Sequence, residues 1–124
     1  EKIIKIKNFK KNPYQAIKET DLFVLSSIYE GLPNVLLEAI VLKKPIISSD
    51  CPTGPKEILE DGKLGILFKN NNFIDLSNKI IKFLENRKMY ERKTLIAYKS
   101  LNKYDLIENL KKYELLIKNI YQKK

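Results

Sequence analysis

The stretch DLFVLSSIYEGLPNVLLEAIVLKKPIISSD, residues 21–50, decides the fold, because two short apolar runs of β character flank a helix-forming run. Asp21 to Ser26 reads as a buried strand, and Pro45 to Ser48 as another. Between them the turn Tyr29-Glu30-Gly31-Leu32-Pro33 feeds a helix from about Asn34 to Leu42. Val35, Leu36, Leu37, Ala39 and Ile40 leave that helix little polar face apart from Glu38, so it is read as buried. Lys43 and Lys44 sit at its C-terminal end, where cations complement the helix dipole. Strand, helix, strand in this order implies a parallel sheet with a right-handed crossover, and the class is α/β.

Toward the C-terminus, Asp50-Cys51-Pro52-Thr53-Gly54-Pro55 forms a second rigid turn at a strand end, with a short helix over Lys56 to Glu60. Open parallel sheets bind ligands outside the carboxyl ends of their strands, so both turns are expected along one rim. Asp61-Gly62 and Gly65 bracket a tight turn before the apolar run Ile66 to Phe68. Asn70 to Asn72 then cap a helix with Phe73, Leu76, Ile80, Phe83 and Leu84 on one face. Two further helices are expected, Met89 to Leu101 and Tyr104 to Tyr121. The last carries Leu106, Leu110, Tyr113, Ile117, Ile120 and Tyr121 at three- and four-residue spacing, its tyrosines read as packing residues. Toward the N-terminus, the alternation of Ile and Lys over Ile3 to Phe9 suits a strand, and Asn12-Pro13 opens a short helix through Thr20. There is no internal repeat or low-complexity linker.

At 124 residues and 44% hydrophobic, the chain can bury the core of one domain. No apolar run approaches the ~20 residues that span a bilayer. The opening EKIIKIKNFKK lacks the apolar centre of a secretory signal, so a soluble, cytoplasmic protein is expected. Cys51 is the single cysteine and histidine is absent, which excludes an internal disulfide, a Cys/His zinc site and a histidine base. Cys51 itself reads as a small, unreactive thiol. The net charge of +9 is uneven: residues 1–61 carry nine Lys against nine acids, residues 62–124 fifteen Lys plus Arg against six acids. Only Arg87 and Arg92 are arginines, whereas specific nucleic-acid recognition favours the planar guanidinium, so no specific nucleic-acid partner is expected. The excess is left as a compositional bias toward Lys, Ile and Asn, or as attraction to an anionic membrane surface.

Glu30 and Glu38 flank one helix N-terminus. Free backbone N–H groups and the helix dipole attract phosphate there, while carboxylates accept hydrogen bonds from sugar hydroxyls. Taken alone, without the surrounding pattern, the two acids read as an ordinary turn acid and a helix-dipole acid. Gly31 and Gly54 read as turn formers, Pro33 and Pro55 as first-turn residues, and Glu57 as a first-turn acid or a rim group.

The Glu-x7-Glu spacing inside EGLPNVLLEA, preceded by NPYQAIKETDLFVLSS and followed by KKPIISSDCPTGPKEIL, resembles the C-terminal domain of family 4 glycosyltransferases of the GT-B fold. The match runs over roughly residues 3–86, and the similarity leans toward bacterial enzymes that glycosylate lipid-linked or lipopolysaccharide acceptors. The resemblance implies a Rossmann-like donor domain over residues 1–86, incomplete at its start, with helices over residues 87–124 packing on it. It implies that Glu30 contacts the hydroxyls of the donor sugar near the reacting carbon and is the catalytic carboxylate. Glu38 would accept from the ribose, and backbone groups of Gly31, Leu32, Asn34, Val35 and Leu36 would face the diphosphate. Thr53, Gly54 and Glu57 would form its rim. It further implies transfer with retention from a nucleotide-sugar, a UDP-sugar being favoured, without cofactor or metal; consistently, the chain has no Asp-x-Asp pair.

Two departures accompany the resemblance. The acceptor-binding domain of a GT-B enzyme is not in this sequence, so the partner is an N-terminal acceptor domain or a separate chain carrying it. The Arg and Lys that grip the diphosphate in the family are not matched either, since Lys2, Lys5 and Lys7 do not fit that role. The expected activity is therefore the donor-binding part of a glycosyltransferase, inactive by itself, in the cytoplasm or peripheral at the inner membrane face. The alternative is a non-catalytic fragment or partner-binding module that keeps the fold.

Overall fold

A computed structural model of the chain describes residues 3–9 and 11–121; Lys2 and the outermost positions of the two expected ranges lie outside the described residues. Chain order is α1 (Tyr14–Lys18), β1 (Phe23–Leu25), α2 (Asn34–Val41), β2 (Ile46–Asp50), α3 (Pro55–Ile58), β3 (Ile66–Lys69), α4 (Phe73–Glu85), α5 (Arg87–Lys99), a 3-10 turn (Ser100–Tyr104) and α6 (Leu106–Tyr121). The three strands form one parallel sheet in the order β1-β2-β3, with Val24 opposite Ile47 and Ile47 opposite Ile66.

Strand alternation divides the core. Ile46 faces Leu36, Ala39, Ile40, Ile58 and Leu59 on one side of the sheet, while Ile47 faces Phe68, Phe83 and Tyr90 on the other. Helices α2 and α3 thus cover one face and α4 the other, which makes three layers, and α5 passes between the two faces with Tyr90 in one cluster and Ala97 in the other. The rings of Phe83 and Tyr90 meet edge to face at 5.1 Å and lock α4 to α5. Arg87 serves structure, 3.5 Å from Asp21 and over the Phe83 ring.

Capping follows the sequence closely. The Asn72 side chain accepts the Asp75 N–H at the head of α4. Asn86 accepts the Met89 N–H at 3.3 Å and starts α5 two residues earlier than the apolar spacing suggests. Asn12 accepts the Tyr14 N–H at 3.0 Å before α1.

Three expectations change. Residues 3–9 carry no regular structure, and Ile3, Ile6 and Phe9 are more than nine-tenths exposed. Their alternation finds neither a partner strand nor a surface to cover, and an unpaired strand has nothing to satisfy its backbone. On α4, only Phe83 of the expected face is buried, with Leu76 and Ile80 partly covered, while Phe73 and Leu84 are exposed. Strands of three to five residues are too short to support all 13 residues of the helix. In α6 no residue is buried, so Tyr113 and Tyr121 are not packing residues. The helix meets the body chiefly through the 3-10 turn, and its ~24 Å length carries it past the core.

Candidate functional site

The two turns that follow β1 and β2 meet at the carboxyl end of the sheet. Gly54 adopts φ 76°, and a Cβ there would lie 2.0 Å from the Gly31 carbonyl oxygen and 2.6 Å from Pro33 Cδ. Only glycine permits this contact. Thr53 beside it is β-branched yet holds φ 63°, and its hydroxyl lies 2.6 Å from the carbonyl oxygens of Glu30 and Pro52. Such a conformation costs about 1–3 kcal/mol and persists only where its surroundings enforce it. Here the second turn is pulled onto the first.

The Glu30 carboxylate is half-buried, and the Ser27 hydroxyl donates to its Oε1 at 2.6 Å. Ser27 is in turn held by the buried Ser49, whose hydroxyl donates to the Ser27 carbonyl at 2.5 Å. The Asn70 amide, just past β3, donates to the Ile28 carbonyl at 2.8 Å. The ends of β2 and β3 therefore both brace the loop that carries Glu30, and the fixed carboxylate keeps its remaining acceptor positions for a ligand. Gly31 adds an open approach: its backbone is outside the left-handed region, and a Cβ there would meet nothing within 4 Å.

Pro33 stands before α2 in extended conformation with no side-chain cap, so the first N–H groups of the helix have no side-chain acceptor. Of the expected donors Leu36 drops out. Its N–H is already given to the Pro33 carbonyl at 2.9 Å, and its side chain is fully buried in the core. Asn34 and Val35 are the first two residues of α2, and Leu32 is exposed in the preceding turn.

Glu38 lies one turn along α2 from Asn34, and both line a cleft of about 380 Å³ with Tyr14, Leu37, Val41 and Leu42. The cleft is walled mainly by apolar groups, with Glu38 as its acid. Glu57, exposed at the first turn of α3, lines a different groove with Leu32 and four residues of α6. The structure thus brings Glu30, Gly31, Thr53 and Gly54 into one contact, and Asn34 with Glu38 into a neighbouring cleft. Cys51 is buried beside the rim.

Ser27, Asn70 and Tyr14 escape a reading of the sequence. Ser27 has a weak signal, a hydroxyl three residues before the turn acid. Asn70 and Tyr14 act across the fold, and nothing in their local sequence marks them.

The family profile described as Glycosyl transferases group 1 matches residues 2–100. An uncharacterized glycosyltransferase of Methanocaldococcus jannaschii is 35% identical over 86% of this chain and 33% of its own length. The N,N'-diacetylbacillosaminyl-diphospho-undecaprenol alpha-1,3-N-acetylgalactosaminyltransferase of Campylobacter jejuni is 36% identical over 86% of this chain and 29% of its own. Among solved structures, a mutant of S. aureus TarM in complex with fondaparinux, alpha-GlcNAc-glycerol and UDP superposes with a TM-score of 0.73 at 30% identity. It covers 84% of this chain and 21% of that one. The chain spans about a third or less of the length of these relatives.

Proposed function

The chain belongs to the glycosyl transferases group 1 family, and from that premise we propose that it is the donor-binding part of a family 4 enzyme that transfers sugar from a UDP-sugar with retention. The observation that carries this reading is the braced carboxylate of Glu30, open to approach across Gly31 and set beside the uncapped start of α2. Such a pair suits a ligand with sugar hydroxyls at one end and a diphosphate at the other.

In this reading the diphosphate lies against the N–H groups of Leu32, Asn34 and Val35, where the helix dipole favours an anion by up to ~2 kcal/mol. Glu38 accepts from the ribose hydroxyls, each such bond contributing about 1.5–3 kcal/mol. The bond from the anomeric carbon to the diphosphate breaks as the acceptor oxygen bonds to the same face, and the acceptor's hydroxyl proton passes to the departing diphosphate. An ionised Glu30 stabilises the positive charge that develops on the sugar ring meanwhile. Thr53, Gly54 and Glu57 form the rim, and no residue set here is assigned to a metal or cofactor. The donor unit is assigned to residues 1–86, with α5 and the 3-10 turn packing on it through Tyr90, Ala97, Leu101 and Tyr104.

Transfer needs both reactants held together, so this stretch alone binds donor without useful turnover, the acceptor side coming from other sequence of the enzyme or from a partner chain. Acceptors of the lipid-linked or lipopolysaccharide kind are inferred from names such as that of the C. jejuni relative. The Lys-rich second half and the exposed apolar residues of α6 fit peripheral contact with the anionic inner face of a membrane. Among the described residues no helix is long and apolar enough to cross one.

Isothermal titration of the folded chain with UDP and UDP-sugars tests the reading. Binding that weakens about ten- to a hundredfold in Glu38→Ala supports it. A folded chain that binds neither ligand at millimolar concentration removes it.

A further inference from the structure

The loop that carries Glu30, residues 26–33, has no regular structure, and its large apolar side chains face outward: Ile28 is 67% exposed and Tyr29 71%. Core packing therefore does not set where the carboxylate stands. Hydrogen bonds set it. From the sheet, the buried Ser49 hydroxyl donates to the Ser27 carbonyl at 2.5 Å, and the Asn70 amide donates to the Ile28 carbonyl at 2.8 Å. Within the loop, the Ser27 hydroxyl donates to Glu30 Oε1 at 2.6 Å. Ser27 thus joins the fixed sheet to the acid.

Asn70 holds its place against an opposing demand. Its Oδ1 is buried without a hydrogen-bond partner among the described residues, while its Nδ2 serves Ile28. A buried acceptor without a donor is unfavourable, and turning the amide over would set Oδ1 against the Ile28 carbonyl, acceptor to acceptor. The fold therefore gains little net stability from this side chain. What it secures is the position of the loop.

We infer that Ser27 and Asn70 are positioning residues: they hold the Glu30 carboxylate where the sugar ring of the donor arrives, and so favour a nucleotide-sugar over the bare nucleotide. In this role neither side chain touches the ligand, and both act through Glu30. A free Glu side chain loses rotamer freedom when it binds a hydroxyl. Fixing it beforehand strengthens sugar recognition and leaves the nucleotide contacts at α2 as they are. The inference rests on the donor reading for the identity of the ligand.

Calorimetric titration of the folded chain with UDP, UDP-glucose, UDP-galactose, UDP-N-acetylglucosamine and UDP-N-acetylgalactosamine tests it. Ser27→Ala and Asn70→Ala should each weaken the best-bound UDP-sugar about five- to tenfold while UDP binds as before. Ser27→Thr, which keeps the hydroxyl, should bind as the wild type does. In urea unfolding, the midpoint of Asn70→Ala should stay in place or rise, because the unpaired buried oxygen leaves together with the bond. UDP-sugar binding unchanged in either alanine variant, equal weakening of UDP and UDP-sugar, or a lowered midpoint in Asn70→Ala overturns the positioning role and leaves the donor reading standing. A folded chain that binds neither UDP nor any of the UDP-sugars overturns both.

Discussion

Gly31 and Gly54 touch, yet their glycines answer different demands. At Gly54 the backbone is left-handed and a side chain would strike the Gly31 carbonyl, so Gly54→Ala should cost about 3 kcal/mol or more. At Gly31 neither constraint exists, and Gly31→Ala should change stability by no more than about 0.5 kcal/mol. It should still weaken UDP-sugar binding about tenfold, because the added methyl narrows the approach to Glu30. Urea unfolding and calorimetry on the two variants separate the effects; equal destabilisation by both would contradict this division. The acids themselves are legible in the sequence, since a turn acid and a helix acid eight residues apart are set by local structure. The partners that fix Glu30 are not. Ser27 is local, but Ser49 and Asn70 brace the Ser27 and Ile28 carbonyls from strand ends that only the folded sheet brings together.

Among the elements, α2 and the strands around it form where their apolar runs lie, because each buries against the other. Leu36 is the centre of that packing, fully buried in the cluster with Ile40 and Ile58. Leu36→Ala should destabilise the chain by about 2–5 kcal/mol in urea unfolding, with a value below 1 kcal/mol contradicting the packing. The α6 helix is legible as a helix but not as an unburied one, since its apolar spacing equals that of a core helix and only tertiary contact distinguishes them. Its attachment runs through the 3-10 turn, where Leu101 and Tyr104 pack against the core and Lys103 pairs with Glu60. The hydrogen bond from Lys103 holds the Glu60 carboxyl below its ordinary 4.5. Burial pulls the Lys103 ammonium down, but the hydrogen bonds and charges of Glu60 and Tyr104 together outweigh it and leave the group above its ordinary 10.5. A lowered carboxylate contributes above its unfolded value and loses that contribution as pH falls through the folded one; the raised ammonium loses its own as pH rises through its folded value. Nitrogen relaxation should therefore show residues 100–104 loosening in acid below the ordinary carboxylate range and again at strongly alkaline pH, while β2 stays ordered. Uniform rigidity across that span would contradict the anchoring role.

For the whole molecule, the order of strands and helices carries the outcome: three parallel strands bring the two turns to one rim, where the proposed half-site lies. That much is legible, because strand, turn, helix, strand fixes topology by connection length and handedness. The expected strand over residues 3–9 fails, because alternation alone does not supply a neighbour to pair with. Most of the charge of the second half is spread over α4, α5 and α6 and is not gathered at the rim, so its effect belongs to the molecule as a body. Co-sedimentation with anionic vesicles at low salt, lost at moderate salt and absent with neutral vesicles, is expected. Equal retention on neutral vesicles would contradict the electrostatic part. The central claim is that UDP-sugar meets this chain at the start of α2. An amide chemical-shift map of the chain titrated with UDP tests it most directly. The largest shifts should fall on Gly31, Leu32, Asn34 and Val35, with smaller ones around Glu38 and Tyr14. Shifts confined to the opposite, amino-terminal ends of the strands, or none at saturating UDP, would contradict it.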